Sequence, residues 1–376
     1  MKVLITGGAG FIGKWIVAEL PSEVEVTIVD SLDPQVHKTS PEFGSELQAR
    51  ATCIKADIRD IESYRDFVRD AEVIVHLAAQ TGTGQSMYEI SQYVQHNIDG
   101  TAKLLELISS LPQKPRRLIL SSSRAVYGDG SFTDGSRVYS GRERSLPALQ
   151  QGIWEVCDEA GSILQPLPMQ EEQATNPTSI YGLTKLWQEQ LVQNYCTNHN
   201  IDNVIFRFQN VYGPKQELGN PYTGIIGIFT NLIIQKNRVE LFEDGLMTRD
   251  FVFVKDVAAA VVKSIFHEAN ISSVINVGSG NALTLLDLVD TIAKITEKNP
   301  QIELSSRFRV GDIRHAFADM TRYQQVFGEW HPTALAEGLR QYLEWYLEQT
   351  PPCEDALQAS LKEMERKGLL KTSGSK

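Results

Sequence analysis

The sequence predicts an α/β protein: a doubly wound parallel sheet with a smaller carboxyl-terminal α/β lobe. Three observations carry this. Five strand-length apolar runs alternate with helix-length segments in the first 120 residues, the pattern of a parallel sheet with helices on both faces. The first run, Lys2–Thr6, leads straight into Gly7-Gly8-Ala9-Gly10-Phe11-Ile12-Gly13. The residues best suited to touch a ligand, Gly7 to Gly13, Asp30, Asp57, Ala78 and Ser121 onward, all follow predicted strands, and open α/β sheets bind ligands at those ends.

The strand at 2–6, a helix from Phe11 to Leu20 and a second strand from Val24 to Val29 form a βαβ half-unit of Rossmann type. Gly7 permits a tight turn, Gly10 lets a pyrophosphate approach the backbone, and Gly13 lets the helix pack against the strand. Phe11 and Ile12 open a helix whose free N–H groups and dipole face the phosphates. A glycine-rich turn in any α/β domain produces similar letters, but strand, helix and terminal acid together predict dinucleotide binding. Asp30 is expected on the adenosine ribose hydroxyls. The next Lys or Arg is Lys38, so nothing close by offsets the repulsion of a 2′-phosphate, and NAD is favoured over NADP.

A polar loop with one short helix is expected over 31–50, and a strand over 51–55 ends at Asp57-Ile58. Asp57 suits either the cap of a helix beginning near Ile61 or the adenine amino group. The strand Glu72–Leu77 closes on Ala78-Ala79, small enough for a cofactor to lie against the backbone. His76, at its end, reads as a packed histidine. A helix over 93–111 presents Ile98, Ala102, Leu105 and Ile108 to the sheet, and Pro112 and Pro115 end it before the strand Arg117–Leu120. Asn97 suits either the cofactor loop or a helix cap. Residues 129–176 lack periodicity and read as an excursion near the site mouth. Beyond them come a helix over 177–200, a strand over 203–208 and a polar loop over 213–224. Helices at 225–236, 255–268, 284–297 and 333–348 then alternate with strands at 239–242, 274–277 and 302–304. The division expected is 1–208 for the cofactor domain, 209–348 mainly for the substrate lobe, and 349–376 for a charged helix with a frayed end.

Composition narrows the function. A hydrophobic fraction of 42% and a charged fraction of 22% describe an ordinary globular chain. The net charge of -11, with no basic stretch, argues against nucleic-acid binding, so an anionic substrate needs local arginines. Cys53, Cys157, Cys196 and Cys353 are far apart and make no metal-ligand spacing with the histidines; no metal is expected, and reduced thiols fit best. Residue 1 opens directly into the first strand and no run reaches membrane-spanning length, so the expected location is cytoplasmic, with no membrane partner.

Ser121-Ser122-Ser123 closes a strand, and Tyr181-Gly182-Leu183-Thr184-Lys185 opens a helix, where a spacing of four puts Tyr181 and Lys185 on one face. A phenol normally ionises near 10; a neighbouring ammonium and an oxidised nicotinamide would lower that. Lys185 is suited to hold the nicotinamide ribose, and Ser123 to donate to a substrate oxygen. Together they suit removal of a proton from a sugar hydroxyl as hydride leaves its carbon. Alone, the Tyr–Lys pair is a common helix-surface pair; with the glycine turn and the strand-end serine it reads as a site. Arg124 fits either a substrate contact or an exposed arginine, and Asp250 and Asp256 look like turn and cap residues.

These motifs carry a resemblance. Thr6 to Gly13, His76-Leu77-Ala78-Ala79, Ser121 to Gly128, Tyr181-x-x-x-Lys185, Asn210-Val211-Tyr212-Gly213-Pro214, Arg249 to Val254 and Asn276 to Gly280 resemble, in order, the extended short-chain dehydrogenase/reductases of the NAD-dependent sugar epimerase/dehydratase family. The likeness covers about residues 1–348. It implies bound NAD, a nucleotide-diphosphate sugar as substrate, and catalysis by Ser123, Tyr181 and Lys185. It also implies that Asn210, Arg249 and Arg309 bind the substrate's diphosphate. Members that dehydrate the sugar carry an Asp-Glu pair where this chain has Arg124-Ala125, which leaves 4-epimerisation through a 4-keto intermediate. Within the family the run from Asn210 to Ile225 is similar to that of the dTDP-L-rhamnose 4-epimerases, with two departures: Lys215 replaces a small residue, and Cys157-Asp158-Glu159-Ala160-Gly161 lacks a second cysteine. The expected substrate is a dTDP-6-deoxyhexose or a UDP-hexose. The resemblance further implies a homodimer paired through helices 93–111 and 181–199. Alternatives are a nucleotide-4-keto-sugar reductase, which consumes cofactor, and a non-catalytic NAD-sensing regulator, whose usual mark is a lost Tyr or Lys.

Overall fold

The computed structural model describes residues 1–37, 42–218, 224–350 and 355–374. Lys38, Cys353 and the middle of the 213–224 loop lie outside the described residues. Seven strands form one wholly parallel sheet: β1 (Lys2–Thr6), β2 (Glu25–Asp30), β3 (Thr52–Lys55), β4 (Val73–His76), β5 (Arg117–Ser123), β6 (Asp202–Phe208) and β7 (Ser272–Val277). Their order is β7-β6-β5-β4-β1-β2-β3, so the winding reverses between β1 and β4 and opens a crevice at their carboxyl ends.

Central strands can be continuously apolar because helices cover both faces. On one face Ile16, Val17, Val257 and Val261, from helices Phe11–Glu19 and Val254–Phe266, close over Ile5, Val75 and Ile119. On the other, Leu104, Ile108 and Val192, from Gly100–Ser110 and Ile180–His199, close over Leu4, Ile74 and Leu118. All are essentially buried, each contributing about 1.5–3 kcal/mol relative to exposure. A separate core around Phe229, Ile233, Leu241, Leu288 and Tyr342 builds the smaller lobe.

The structure corrects four expectations. The boundary at 208/209 is not a clean cut: β7 joins the main sheet beside β6, and helix Val254–Phe266 packs on its face. The chain therefore leaves for the smaller lobe and returns. The helix expected over 93–111 is α-helical at Ile90–Tyr93 and Gly100–Ser110 with a π-turn at Val94–Asp99 between. The wider turn rotates the apolar face, so Ile98 and Ala102 line an outer groove with Trp187 and Tyr195 instead of covering the sheet. The aperiodic 129–176 segment contains a three-stranded antiparallel sheet, Ser131–Thr133, Val138–Ser140 and Gln165–Leu167. Strands of three residues are too short to register as alternation. The segment after the expected charged helix holds more than a tail: after helix Asp355–Arg366, strand Leu370–Thr372 pairs antiparallel with Arg307–Arg309. Among the described residues no helix is long and apolar enough to cross a membrane, and no His/Cys/Asp/Glu cluster is arranged for a metal.

Candidate active site

Two cavities meet at the carboxyl ends of the central strands. The first, of ≈ 400 Å³, is lined by Gly7, Gly10, Phe11, Ile12 and Gly13 from the first turn, Asp30 after β2, Asp57 and Ile58 after β3, and Leu77, Ala78 and Ala79 after β4. Ser121 and Ser123 of β5, with Tyr181 and Lys185, complete it. Every residue expected to bind the cofactor thus faces one space.

The glycine turn has no room for side chains. Gly7 has φ +71, and a Cβ there would lie 2.7 Å from Ala78 N; at Gly13 it would lie 2.5 Å from Gly8 O. Gly10 occupies the N-cap of helix Phe11–Glu19 with no side chain capping it, which leaves the helix N–H groups open to an anion. Asp30 is held by Ala9 N at 3.0 Å and Leu32 N at 2.9 Å. A carboxylate has about four acceptor sites, so lone pairs remain for ribose hydroxyls. His37, which the sequence reading passed over, lies 3.6 Å from Asp30 with both side chains nearly buried. Asp57 caps no helix: the turn at Ile61–Ser63 has no side-chain cap, and Asp57 instead clasps Arg59 through Nε at 2.8 Å and Nη2 at 2.7 Å. That pairing, with the Arg59 side chain the largest cause, lowers its pKa to about 2.

Lys185 and Tyr181 stand one turn apart on helix Ile180–His199, whose start is set by Ser179 accepting from Gly182 N. The Tyr181 phenol is pushed above its ordinary range by burial, while a hydrogen bond with Ser123 and the charge of Arg124 act in the opposite sense. Arg124 thus joins Lys185, the cation expected from the sequence, as a positive charge that eases ionisation of the phenol. The Lys185 ammonium turns to β5 and donates to Ser121 O at 2.9 Å. Burial lowers its pKa to about 7, opposed by Glu189. His76 lies buried between Thr6 Oγ1 (2.7 Å) and Thr101 Oγ1 (2.9 Å), and burial pushes its pKa down to about 3; it packs neutral. Asn97 holds the loop after β4, accepting from Gln80 N at 2.7 Å and donating to Thr184 Oγ1 at 2.9 Å.

The second cavity, of ≈ 620 Å³, gathers Arg124, Asn210, Arg249, Arg309 and Asp312 at one end. Arg249 lies 3.2 Å from Asp312 and Asn210 donates to Asp250 O at 3.0 Å. Arg124 Nη1 and Arg309 Nε are buried with no hydrogen-bond partner among the described residues. Orphaned buried guanidinium donors are costly unless a ligand supplies acceptors. Burial lowers the Arg124 pKa to about 10, with Arg249 adding to the effect, as expected of cations crowded to receive an anion. Asp250 and Asp256 are tethers rather than cap residues: Asp250 accepts from Ser279 N (2.7 Å), Gly280 N (3.0 Å) and Ala318 N (3.1 Å), and Asp256 from Thr333 N (2.8 Å). None of the described residues lining these two cavities comes from 129–176. That segment reaches the site indirectly, through Arg144, which donates to Asp312 O at 2.7 Å.

A dinucleotide cavity opening beside a serine–tyrosine–lysine group, with an arginine-lined cavity adjoining it, defines an enzyme of the short-chain dehydrogenase/reductase class. The chain matches the model of the NAD dependent epimerase/dehydratase family over residues 3–144 and 157–278, and it belongs to that family, whose cofactor is NAD. It is 37% identical to the dTDP-L-rhamnose 4-epimerase of Burkholderia thailandensis, over 92% of this chain and 94% of that one. It is 28% identical to a putative UDP-glucose 4-epimerase of Methanocaldococcus jannaschii, over 91% and 97%. Among solved structures, the UDP-glucuronic acid 4-epimerase of Bacillus cereus in complex with UDP-glucuronic acid and NAD superposes with a TM-score of 0.75 at 26% identity, covering 93% of this chain and 99% of that one. The UDP-N-acetylglucosamine 4-epimerase of Methanobrevibacter ruminantium gives 0.74 at 27%, with the same coverage.

Proposed function

We propose that this enzyme is a nucleotide-sugar 4-epimerase with a dTDP-6-deoxyhexose as its substrate. The observation that carries the reading is the pair of unpartnered guanidinium donors, Arg124 Nη1 and Arg309 Nε, in the cavity that adjoins Ser123 and Tyr181. A diphosphate placed there brings the sugar to the tyrosine. Bound NAD supplies a hydride acceptor that later returns the hydride. Ser123 and Tyr181 hold the C4 hydroxyl; Tyr181 takes its proton, with Arg124 favouring the phenolate, and gives it back after the 4-keto sugar has turned its other face. Lys185 holds the ribose hydroxyls beside Ser121 O. Arg124 and Ala125 provide no carboxylate pair for the proton transfers of dehydration.

The test is to add dTDP- and UDP-sugars without external cofactor and follow C4 by NMR. Inversion with a catalytic quantity of co-purified NAD supports the reading; turnover only with stoichiometric reduced cofactor replaces it with a 4-keto reductase. Arg309→Ala should raise KM for the nucleotide sugar by about 10–100-fold, the size expected for one charge-assisted contact to a diphosphate, with a smaller change in kcat. An unchanged KM removes Arg309 from the diphosphate site.

A homodimer fits the outer groove lined by Ile98, Ala102, Leu105, Trp187, Leu191 and Tyr195, where Trp187 is 42% exposed. Large apolar side chains left open on paired helices favour association. Trp187→Glu should halve the mass read by light scattering; a monomeric wild type removes the interface. The setting proposed for the enzyme is carbohydrate biosynthesis in the cytoplasm.

A further inference from the structure

We infer that the carboxyl-terminal helix and strand, 355–372, form the wall of the substrate cavity that recognises the base, and that this wall selects a 5-methylated pyrimidine, thymine, over uracil. The inference rests on a nucleotide sugar occupying the ≈ 620 Å³ cavity and deepens that reading.

The cavity lining is mixed. Arg124, Asn210, Arg249, Arg309 and Asp312 stand beside Ser123; Ile228, Phe229, Leu232, Leu241, Phe242 and Leu285 supply apolar surface next to the charged side chains of Lys236, Arg238, Glu240 and Glu303. A sugar at Tyr181 and a diphosphate on the arginines leave the remaining lining for the base. Helix Asp355–Arg366 adds Leu357, Leu361 and Met364 to that lining, Met364 on the side of Arg124 and Arg309. Leu361 and Met364 are 8% and 4% exposed and pack with Phe242 and Leu370, whereas Leu357 is only half-buried.

The wall is anchored on both sides. Strand Leu370–Thr372 pairs with Arg307–Arg309, Leu370 opposite Arg309 itself, and Leu369 O accepts from Val310 N at 2.9 Å. Arg307 lies 2.5 Å from Glu365, and the Arg309 guanidinium lies over the Phe242 ring at 5.3 Å. Across the mouth, Lys367 sits over Tyr88 at 5.0 Å, and Met364 Cε packs so close to Gly84 that a Cβ there would collide with it. The same segment therefore fixes the strand of a diphosphate-facing arginine and supplies apolar surface to the base. A methyl group against leucine is removed from water, an effect of about 0.8 kcal/mol per buried carbon.

The experiment is calorimetric titration of the full-length, NAD-loaded protein with dTDP and with dUDP, which differ only in that methyl. The expected result is dTDP tighter by about three- to fivefold, the conversion of that transfer energy at 25 °C. Leu357→Asp should weaken dTDP by about tenfold or more and erase the preference, with NAD content and melting temperature retained. Leu357→Ser gives the same reading without a charge should the aspartate variant fold poorly. Equal affinity for dTDP and dUDP in the wild type, or dTDP binding unaltered in a folded Leu357 variant, overturns the inference. Binding is read without turnover, so absence of C4 inversion would defeat the epimerase reading and leave this result standing.

Discussion

Tyr181→Phe should lower kcat for C4 inversion by about 10²–10⁴-fold, the range for removal of a positioned general base, with the co-purified NAD retained. Only the hydroxyl is deleted: the ring keeps its edge contact with Tyr93 at 6.4 Å, and the backbone N–H still donates to Ser86 Oγ at 3.0 Å. Folding should therefore be nearly unchanged, which a thermal melt checks beside the NMR rate. Ser123→Ala is the milder companion. It removes a hydrogen bond that lowers the phenol's pKa, so the same proton leaves only at higher pH and the acid limb of kcat moves upward. Full activity in the Tyr181→Phe enzyme would assign the base to another group.

The sheet and the cofactor cavity were legible because their signals are local. Val73 to Val75 is apolar throughout, since both faces of a central strand are covered, and Gly7 and Gly13 are glycines because the neighbouring backbone leaves no space for Cβ. Less legible were features set by partners distant in sequence. Nothing near Tyr181 announces that Arg124 approaches the phenol, because that proximity follows from β5 and the helix at 180 lying side by side. Strand Leu370–Thr372 pairs only with Arg307–Arg309 among the described residues, and three residues are too few to show alternation. The π-turn at Val94–Asp99 likewise escapes a reading based on 3.6-residue periodicity, which places Ile98 and Ala102 on the sheet-facing side although they line the outer groove.

Loss of Glu189 should cost the fold heavily. The residue is 1% exposed, accepts from Arg207 Nε at 3.0 Å and Nη2 at 2.7 Å, and is hydrogen-bonded by Ser122 Oγ. Arg207, 4% exposed, would be stranded by Glu189→Ala at a cost of about 3–5 kcal/mol, the penalty for breaking a buried pair by removing one partner. A urea titration should show the midpoint falling at unchanged slope. Glu189→Gln keeps the shape and isolates the charge. Lys185 sits at about 7 against an unfolded 10.5 because burial disfavours its ammonium, and Glu189 is what opposes the fall. Between those two values the unfolded chain binds the additional proton, so this lysine's contribution makes stability rise with pH. Without the carboxylate the lower edge of that window moves further down, and the neutral amine is favoured at neutrality. The amine retains two donors but loses the charge that strengthens its hold on ribose hydroxyls. Activity of Glu189→Gln should accordingly decline at a lower pH than in the wild type, whereas an alkaline limb that stays in place would show that Glu189 serves Arg207 alone.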